Sequence, residues 1–165
     1  MTRLVLMRGS LKDWQPKKKK KKDEKQILYD QLDKLWPKAV KITYGHFDGD
    51  YYYCEVCGKP CKSGEGAGVG LGIASHHIEG KQSYNLRWEI IGGTPVCSGC
   101  HTMRKDSAHQ DNTAFKNKMI EKRGQEWYDK LLKIKGDKEK WTIKRMKERK
   151  EGLQKIIKLA MDGDI

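Results

Sequence analysis

The alternation of apolar and polar positions divides the chain into stretches of different period. From Asp23, the residues Ile27, Leu28, Leu32, Leu35 and Trp36 recur at helical spacing and halt before Pro37. This predicts a short amphipathic helix whose Leu/Trp stripe is core. Val40 to Tyr53 is rich in β-branched and aromatic residues and is broken by Gly45 and Asp48-Gly49-Asp50, which predicts a hairpin leading into a first cysteine pair. Beyond residue 111 the period is helical again. Phe115, Met119 and Ile120 lead to Gly124, and Trp127, Tyr128, Leu131 and Leu132 lead to Gly136. A last helix is predicted from about Lys138 to Ala160, with Ile143, Met146, Leu153, Ile157 and Ala160 on one stripe and basic residues over much of the rest.

Glycines 64, 66, 68, 70 and 72 alternate along one stretch. The spacing fits neither G-x-G-x-x-G nor a P-loop, and reads as a flexible or flattened strand connection. Near the start, Leu4-Val5-Leu6-Met7 is too short for the apolar region of a secretory signal and stops at Arg8. No stretch is long and apolar enough to span a bilayer. The expectation is a protein of the reducing cytoplasm, without a membrane partner.

Charge narrows the partner. The 165 residues carry 35 Lys+Arg and 22 Asp+Glu, a net +13, which favours a polyanion. The excess is uneven: residues 1–45 hold +8, residues 46–111 hold −2 and residues 112–165 hold +7. These boundaries mark a basic N-terminal extension, a central unit and a basic helical C-terminal region. Lys17, Lys18, Lys19, Lys20, Lys21 and Lys22 form an unbroken run in the first. Such a block is a solvated tether or the start of a frayed helix, available as a phosphate-contacting arm or a localisation signal.

All five cysteines and all five histidines lie in the central unit. Cys54-Glu-Val-Cys57 and Cys97-Ser-Gly-Cys100 are two Cys-x-x-Cys pairs, each able to grip one metal from a tight turn, and together they complete a four-cysteine structural zinc site. The 39 residues between Cys57 and Cys97 exceed a single finger loop, so the zinc would staple everything between them. Cys61 is left over as a bystander. His101 directly follows Cys100, and Ala74-Ser75-His76-His77-Ile78-Glu79-Gly80 lies inside the stapled interval. With a strand after Gly72 and a helix opening at Cys97, the staple would bring His76, His77 and His101 within reach of one another. His109, eight residues after His101, lies about two turns along if that helix persists. It reads either as a third ligand or as a surface histidine. His46, near Asp48 and Asp50, reads as non-catalytic.

The order Cys-x-x-Cys, His-His-Ile, Cys-x-x-Cys-His resembles the zinc-stapled branch of the HNH, or ββα-metal, nucleases. Residues 74–132, with Leu86-Arg87-Trp88, Phe115 and the segment from Gly124 to Leu131, look like phage recombination nucleases of the NinG/Rap type. The resemblance implies an α+β fold: a small zinc-stapled ββα-metal centre with helical N- and C-terminal extensions. It implies that His76 and His101 bind a catalytic divalent ion, with His109 as a further candidate, and that His77 is the general base. The family's central Asn has no clear match, since Ile90-Ile91-Gly92-Gly93-Thr94 occupies its place and Asn85 is a poor substitute.

The function expected on these grounds is divalent-metal-dependent DNA endonuclease activity, on branched or recombination-intermediate DNA if the likeness extends that far, by a phage protein acting in the host cytoplasm. Its cofactors would be structural Zn2+ and a catalytic Mg2+, Mn2+ or other divalent ion. Arg87, Arg104 and Lys105 are candidate phosphate contacts beside the Lys17–Lys22 run. A homodimer is compatible with the sequence. The alternative is a non-catalytic zinc module that binds nucleic acid within a recombination or packaging complex, and a weaker third is a membrane-surface protein using its basic helix.

Overall fold

The computed structural model describes residues 21–62, 72–137 and 139–162. Lys17 to Lys20, the run Leu4–Met7 and glycines 64, 66, 68 and 70 lie outside the described residues.

The first helix, α1 (Glu24–Tyr44), starts where Asp23 caps it, its carboxylate accepting from the Gln26 amide at 2.7 Å. It does not stop at Pro37 as predicted, but runs through it for seven more residues. An interior proline costs about 3 kcal/mol, through a lost donor and a clash with the preceding turn. Tertiary burial outweighs that cost here. Ala39 and Val40, beyond the proline, are wholly buried, and the Pro37 carbonyl accepts from Ser75 Oγ at 2.8 Å.

Because α1 consumes Val40–Tyr44, the first hairpin forms later than predicted. It pairs β1 (Tyr51–Tyr53) with β2 (Pro60–Lys62), antiparallel, and its turn carries Cys54 and Cys57. A second antiparallel hairpin pairs β3 (Ile73–His77) with β4 (Gly93–Cys97), register Ile73↔Cys97 to His77↔Gly93. One π-turn follows at Gly99–Met103, then α2 (Asn112–Arg123), α3 (Gln125–Gly136) and α4 (Ile143–Asp162). The architecture is α+β, mostly helical with two small antiparallel sheets. Gly124, at φ +87°, supplies the left-handed residue that turns α2 into α3. α4 begins at Ile143 rather than near Lys138, because Trp141 is buried and the Thr142 hydroxyl accepts from the Arg145 amide at 3.2 Å. Ile143, expected on the packing stripe, is exposed.

Two cores flank the β3–β4 hairpin. One joins α1 to α4 around Leu28, Leu32, Trp36, Trp88, Trp141, Met146 and Leu153. The basic flanks therefore pack on each other, and α1 packs on the hairpin as well. Gly93 marks that contact: a Cβ there would sit 2.5 Å from Val40 Cγ2 and 2.7 Å from Trp36 Cζ2, so helix and strand touch only because position 93 has no side chain. The other core gathers the cysteines with Ile78, Val96, Phe115 and Met119.

The connection between β3 and β4, residues 78–92, has little regular structure of its own and is held from outside. Three indole N–H groups donate to its carbonyls: Trp36 to Glu89 at 3.0 Å, Trp127 to Ile91 at 3.2 Å and Trp141 to Tyr84 at 2.7 Å. Within it, the buried Glu79 carboxylate takes Lys116 at 2.8 Å, Lys135 at 2.5 Å and the Tyr128 hydroxyl at 3.0 Å. Asn85 is buried in this connection, its Oδ1 without a hydrogen-bond partner among the described residues. Among the described residues no helix is long and apolar enough to cross a membrane.

Candidate metal centre

The first cysteine pair sits in the β1–β2 turn, and the second spans the end of β4 and the π-turn. The hairpin turn and β4 meet through the Glu55 amide, which donates to the Pro95 carbonyl at 2.9 Å. Glu55, between the first two cysteines, is also locked from outside. Arg123 of α2 grips its carboxylate with two contacts of 2.6 Å, and the Thr94 hydroxyl adds a third at 2.8 Å.

The result is one cluster. Cys54, Cys57, Cys97 and Cys100 place their sulfurs within 4.8 Å of one another, with Cys57 and Cys97 at 3.7 Å. Zinc–sulfur bonds of about 2.3 Å in a tetrahedron require sulfur–sulfur edges of about 3.8 Å. The donor set and the spacing both fit structural zinc. Burial pushes the Cys54 thiol up to about 11 and raises Cys100 as well. Burial acts upward on Cys57 too, but hydrogen bonds from the Lys59 amide and the neighbouring cysteines bring it down to about 7. The buried Cys54 and Cys100 thiols resist ionising unaided, and a dication removes that penalty. Cys61 is buried beside the cluster on β2 but is not part of it.

A second cluster lies at the other end of the β3–β4 hairpin. His76, His101 and His109 bring a ring nitrogen each within 4.8 Å of the others. His76 comes from β3 and His101 from the π-turn. His109 arrives by a different route from the two helical turns expected. The helix after Cys97 is a single π-turn closed by the Arg104 amide on the Gly99 carbonyl at 3.0 Å, and the chain then doubles back. Amides of Ala108 and His109 donate to carbonyls of Cys100 and His101 at 3.0 and 3.1 Å, which lays His109 alongside His101.

The geometry of this cluster is that of ligands turned inward. The Nε2 atoms of His101 and His109 face each other at 3.1 Å, close to the separation of about 3.0–3.4 Å between adjacent nitrogens bound to one metal at about 2.1 Å. His76 Nε2 is buried with no hydrogen-bond partner among the described residues. A buried polar atom of that kind costs about 1–3 kcal/mol, and a cation would satisfy it. Burial drives His76 down to about 3, helped by His101 and His109, and burial also lowers His101. Both imidazoles are therefore neutral near pH 7, the form that binds metal. The cluster contains three imidazoles and no carboxylate. That set suits zinc, iron, nickel or copper better than Mg2+, which prefers oxygen ligands, so the donors depart from the Mg2+ expectation.

The three histidines line an open cleft of about 390 Å³ together with His77, Lys81 and Asn112. His77 shares this cleft with His76 and His101, as expected of residues within reach of one another, but is not one of the three clustered histidines. Strand alternation turns it to the other face of β3, where its ring stacks on Trp36 with centroids 3.8 Å apart and 14° between planes. Its Nε2–H donates to the Arg87 carbonyl at 2.9 Å, since a carbonyl can only accept. Nδ1 is then its basic nitrogen. Burial lowers the His77 pKa, which keeps the ring neutral.

Among the expected phosphate contacts, Arg87 is the one most engaged within the fold. Arg87 forms a bidentate pair with Asp33 of α1, at 3.2 and 2.7 Å, and lies over the Tyr29 ring. Arg104 reaches the Cys100 sulfur at 3.5 Å, where its charge offsets thiolate rather than phosphate. Lys105 is exposed, as are Lys21 and Lys22, the latter paired with Asp30. Sequence reasoning missed Trp36, Asp33 and Lys81. Trp36 was legible as core, but its contact with His77 was not, because 41 positions separate them. No family model, curated protein or solved structure matches the chain.

Proposed function

We propose that the chain is a divalent-metal-dependent DNA endonuclease of the HNH, or ββα-metal, class, its motif order resembling that of the phage recombination nucleases of the NinG/Rap type. The observation that carries this reading is the orphaned, buried Nε2 of His76, set beside two imidazoles that face each other at 3.1 Å in an open cleft. The chain order also supports the reading: His76 lies on β3, β4 pairs with it antiparallel, and His101 follows in the π-turn ahead of α2.

His76, His101 and His109 would hold the ion. When bound, it neutralises charge developing on a phosphodiester and on the departing oxygen. His77 acts as the base. Its Nε2–H is fixed on the Arg87 carbonyl, so Nδ1 takes a proton from water as the water oxygen bonds to phosphorus and the bond to the 3′ oxygen breaks. General-base catalysis of this kind contributes about 10²–10⁴-fold. DNA is gripped without sequence preference through exposed lysines of α4, among them Lys144, Lys155 and Lys158. Branched or recombination-intermediate DNA is the substrate class the likeness suggests.

The test is cleavage of supercoiled plasmid and synthetic branched DNA with Zn2+, Mn2+, Ni2+ or Mg2+ added. Metal-dependent nicking by the wild type is expected, and its loss in His77→Ala with cysteine-bound zinc and DNA affinity retained. Equal cleavage by His77→Ala, or none by the wild type with any ion, overturns the reading. The second of these outcomes favours the other candidate, a non-catalytic zinc module that binds nucleic acid. The bidentate engagement of Arg87 by Asp33 speaks for it, since that guanidinium is already committed within the fold.

A further inference from the structure

The β3–β4 hairpin carries His77 but does not by itself fix the ring. One face of the imidazole lies on Trp36, and its Nε2–H is held by the carbonyl of Arg87. Both holds trace back to α1. Trp36 belongs to that helix, and its own Nε1–H is anchored on the Glu89 carbonyl at 3.0 Å. Arg87 is tied to Asp33, one helical turn before Trp36, by two hydrogen bonds, while the neighbouring Trp88 indole donates to the same Asp33 carboxylate at 2.8 Å. Asp33 also lies 3.4 Å from Lys81 at the cleft. Its carboxylate thus takes three side chains from the connection between β3 and β4, including both residues at the peptide whose carbonyl receives His77. The sequence places this helix outside the stretch that resembles a nuclease, yet it touches one face of His77 through Trp36 and reaches the other hold through Asp33 and Arg87.

We propose that Asp33 and Trp36 of α1 are positioning residues for His77: Trp36 sets the plane of the ring, and Asp33, through Arg87, sets which nitrogen is left to accept a proton. This inference rests on the reading of His77 as the base. Without the Arg87 carbonyl in place, the imidazole would exchange between tautomers and between ring rotations, and only part of the population would present a basic Nδ1. A displacement on the order of 1 Å at a reacting group can cost about 10²-fold in rate.

The experiment compares Asp33→Ala, Trp36→Leu and Trp36→Phe with the wild type and with His77→Ala, well below every variant's melting temperature. Two readouts are taken: kcat and KM on plasmid DNA, and the tautomer of His77 from long-range 1H–15N correlation spectra. Trp36→Phe keeps an aromatic ring to stack on His77 while losing the bond to Glu89 and part of the indole's packing at Gly93, so it tests whether stacking suffices. Asp33→Ala and Trp36→Leu are expected to lower kcat about 10–100-fold with KM within about threefold. Trp36→Phe is expected to recover to within about threefold of the wild type. In the spectra, His77 should be a single Nε2–H tautomer in the wild type and a mixture in Asp33→Ala. A single unchanged tautomer in Asp33→Ala and Trp36→Leu, or a wild-type kcat in both, overturns the inference. If His77→Ala cuts as well as the wild type, the reading of His77 as base has failed instead, and the tautomer spectra still decide whether α1 orients the ring.

Discussion

The two ligand clusters sit at opposite ends of one hairpin and differ in almost every physical respect. Three of the four cysteines are buried and the fourth is exposed, and their sulfurs form a closed set of four. The three histidines line a cleft and leave coordination positions for something else. A closed four-sulfur set has nothing to offer a substrate, whereas an open three-nitrogen set does. The packing repeats the contrast. Cys54, Cys97 and Cys100 are embedded in a core with Phe115 and Met119, and the turn that carries Cys57 is braced by Arg123 on Glu55. The cleft is bordered by exposed residues such as Lys81 and His109. A closed donor set and an open one thus lie at different ends of the same two strands.

That division makes its strongest prediction at the cysteines. Cys97→Ser should abolish bound zinc and cooperative unfolding, because structural zinc sites contribute on the order of 10 kcal/mol of folding free energy. Metal analysis and a thermal melt followed by circular dichroism check this, and a variant that melts like the wild type would show that the cluster does not staple the fold. Next in size is the brace. Arg123→Met leaves the Glu55 carboxylate buried and unpaired, and a cost of about 3–5 kcal/mol is expected in urea unfolding.

The histidine end should answer in the opposite way. His101→Ala is expected to lower cleavage at least about 100-fold, equivalent to about 2.7 kcal/mol of lost transition-state stabilisation, while the urea midpoint and the cysteine-bound zinc stay near wild-type values. A large loss of stability there would blur the division.

The smallest effect is a dependence on pH. Folding holds His76 neutral down to about 3, far below the ordinary imidazole value near 6.5. The unfolded chain takes up a proton below about pH 6.5 that the native state refuses, so stability falls as the pH drops from there. His76→Gln removes that contribution. Its stability should fall less steeply between pH 6.5 and 5, by up to about 1.4 kcal/mol per pH unit relative to wild type. Parallel curves for the two proteins would show that His76 is not shielded as described.

How far the sequence revealed all this depends on whether the deciding contacts are local. The bounds of α2 and α3 followed from Phe115, Met119, Trp127 and Leu131 and from the glycines behind them, because a helical period and a left-handed turn are written within a dozen residues. The cysteine cluster was legible from spacing alone. Pro37 misled, because what carries α1 past it is the burial of Ala39 and Val40 under β4, some fifty residues away. His109 was found as a candidate by counting helical turns that do not exist, and it meets His101 through a reversal of the chain whose two backbone bonds leave no periodic trace. The engagement of Arg87 by Asp33 has the same character: a guanidinium in the right motif reads as a phosphate clamp until its acidic neighbour, 54 positions earlier, is known.

The pairing of α1 with α4 has a consequence for how the molecule is made. Glu24 meets Lys147, and the stripe of Leu28, Leu32 and Trp36 is covered by Met146 and Leu153. A chain synthesised from its N-terminus presents the apolar face of α1 more than a hundred residues before its cover exists, and contacts at that separation are slow to close. Until α4 docks, the stripe of Leu28, Leu32 and Trp36 lacks part of its cover. The four cysteines can gather earlier, once Cys100 has emerged. Folding would then run in two stages, the cysteine-bearing hairpins first and the α1–α4 core second, with the C-terminal helix deciding when the second is complete.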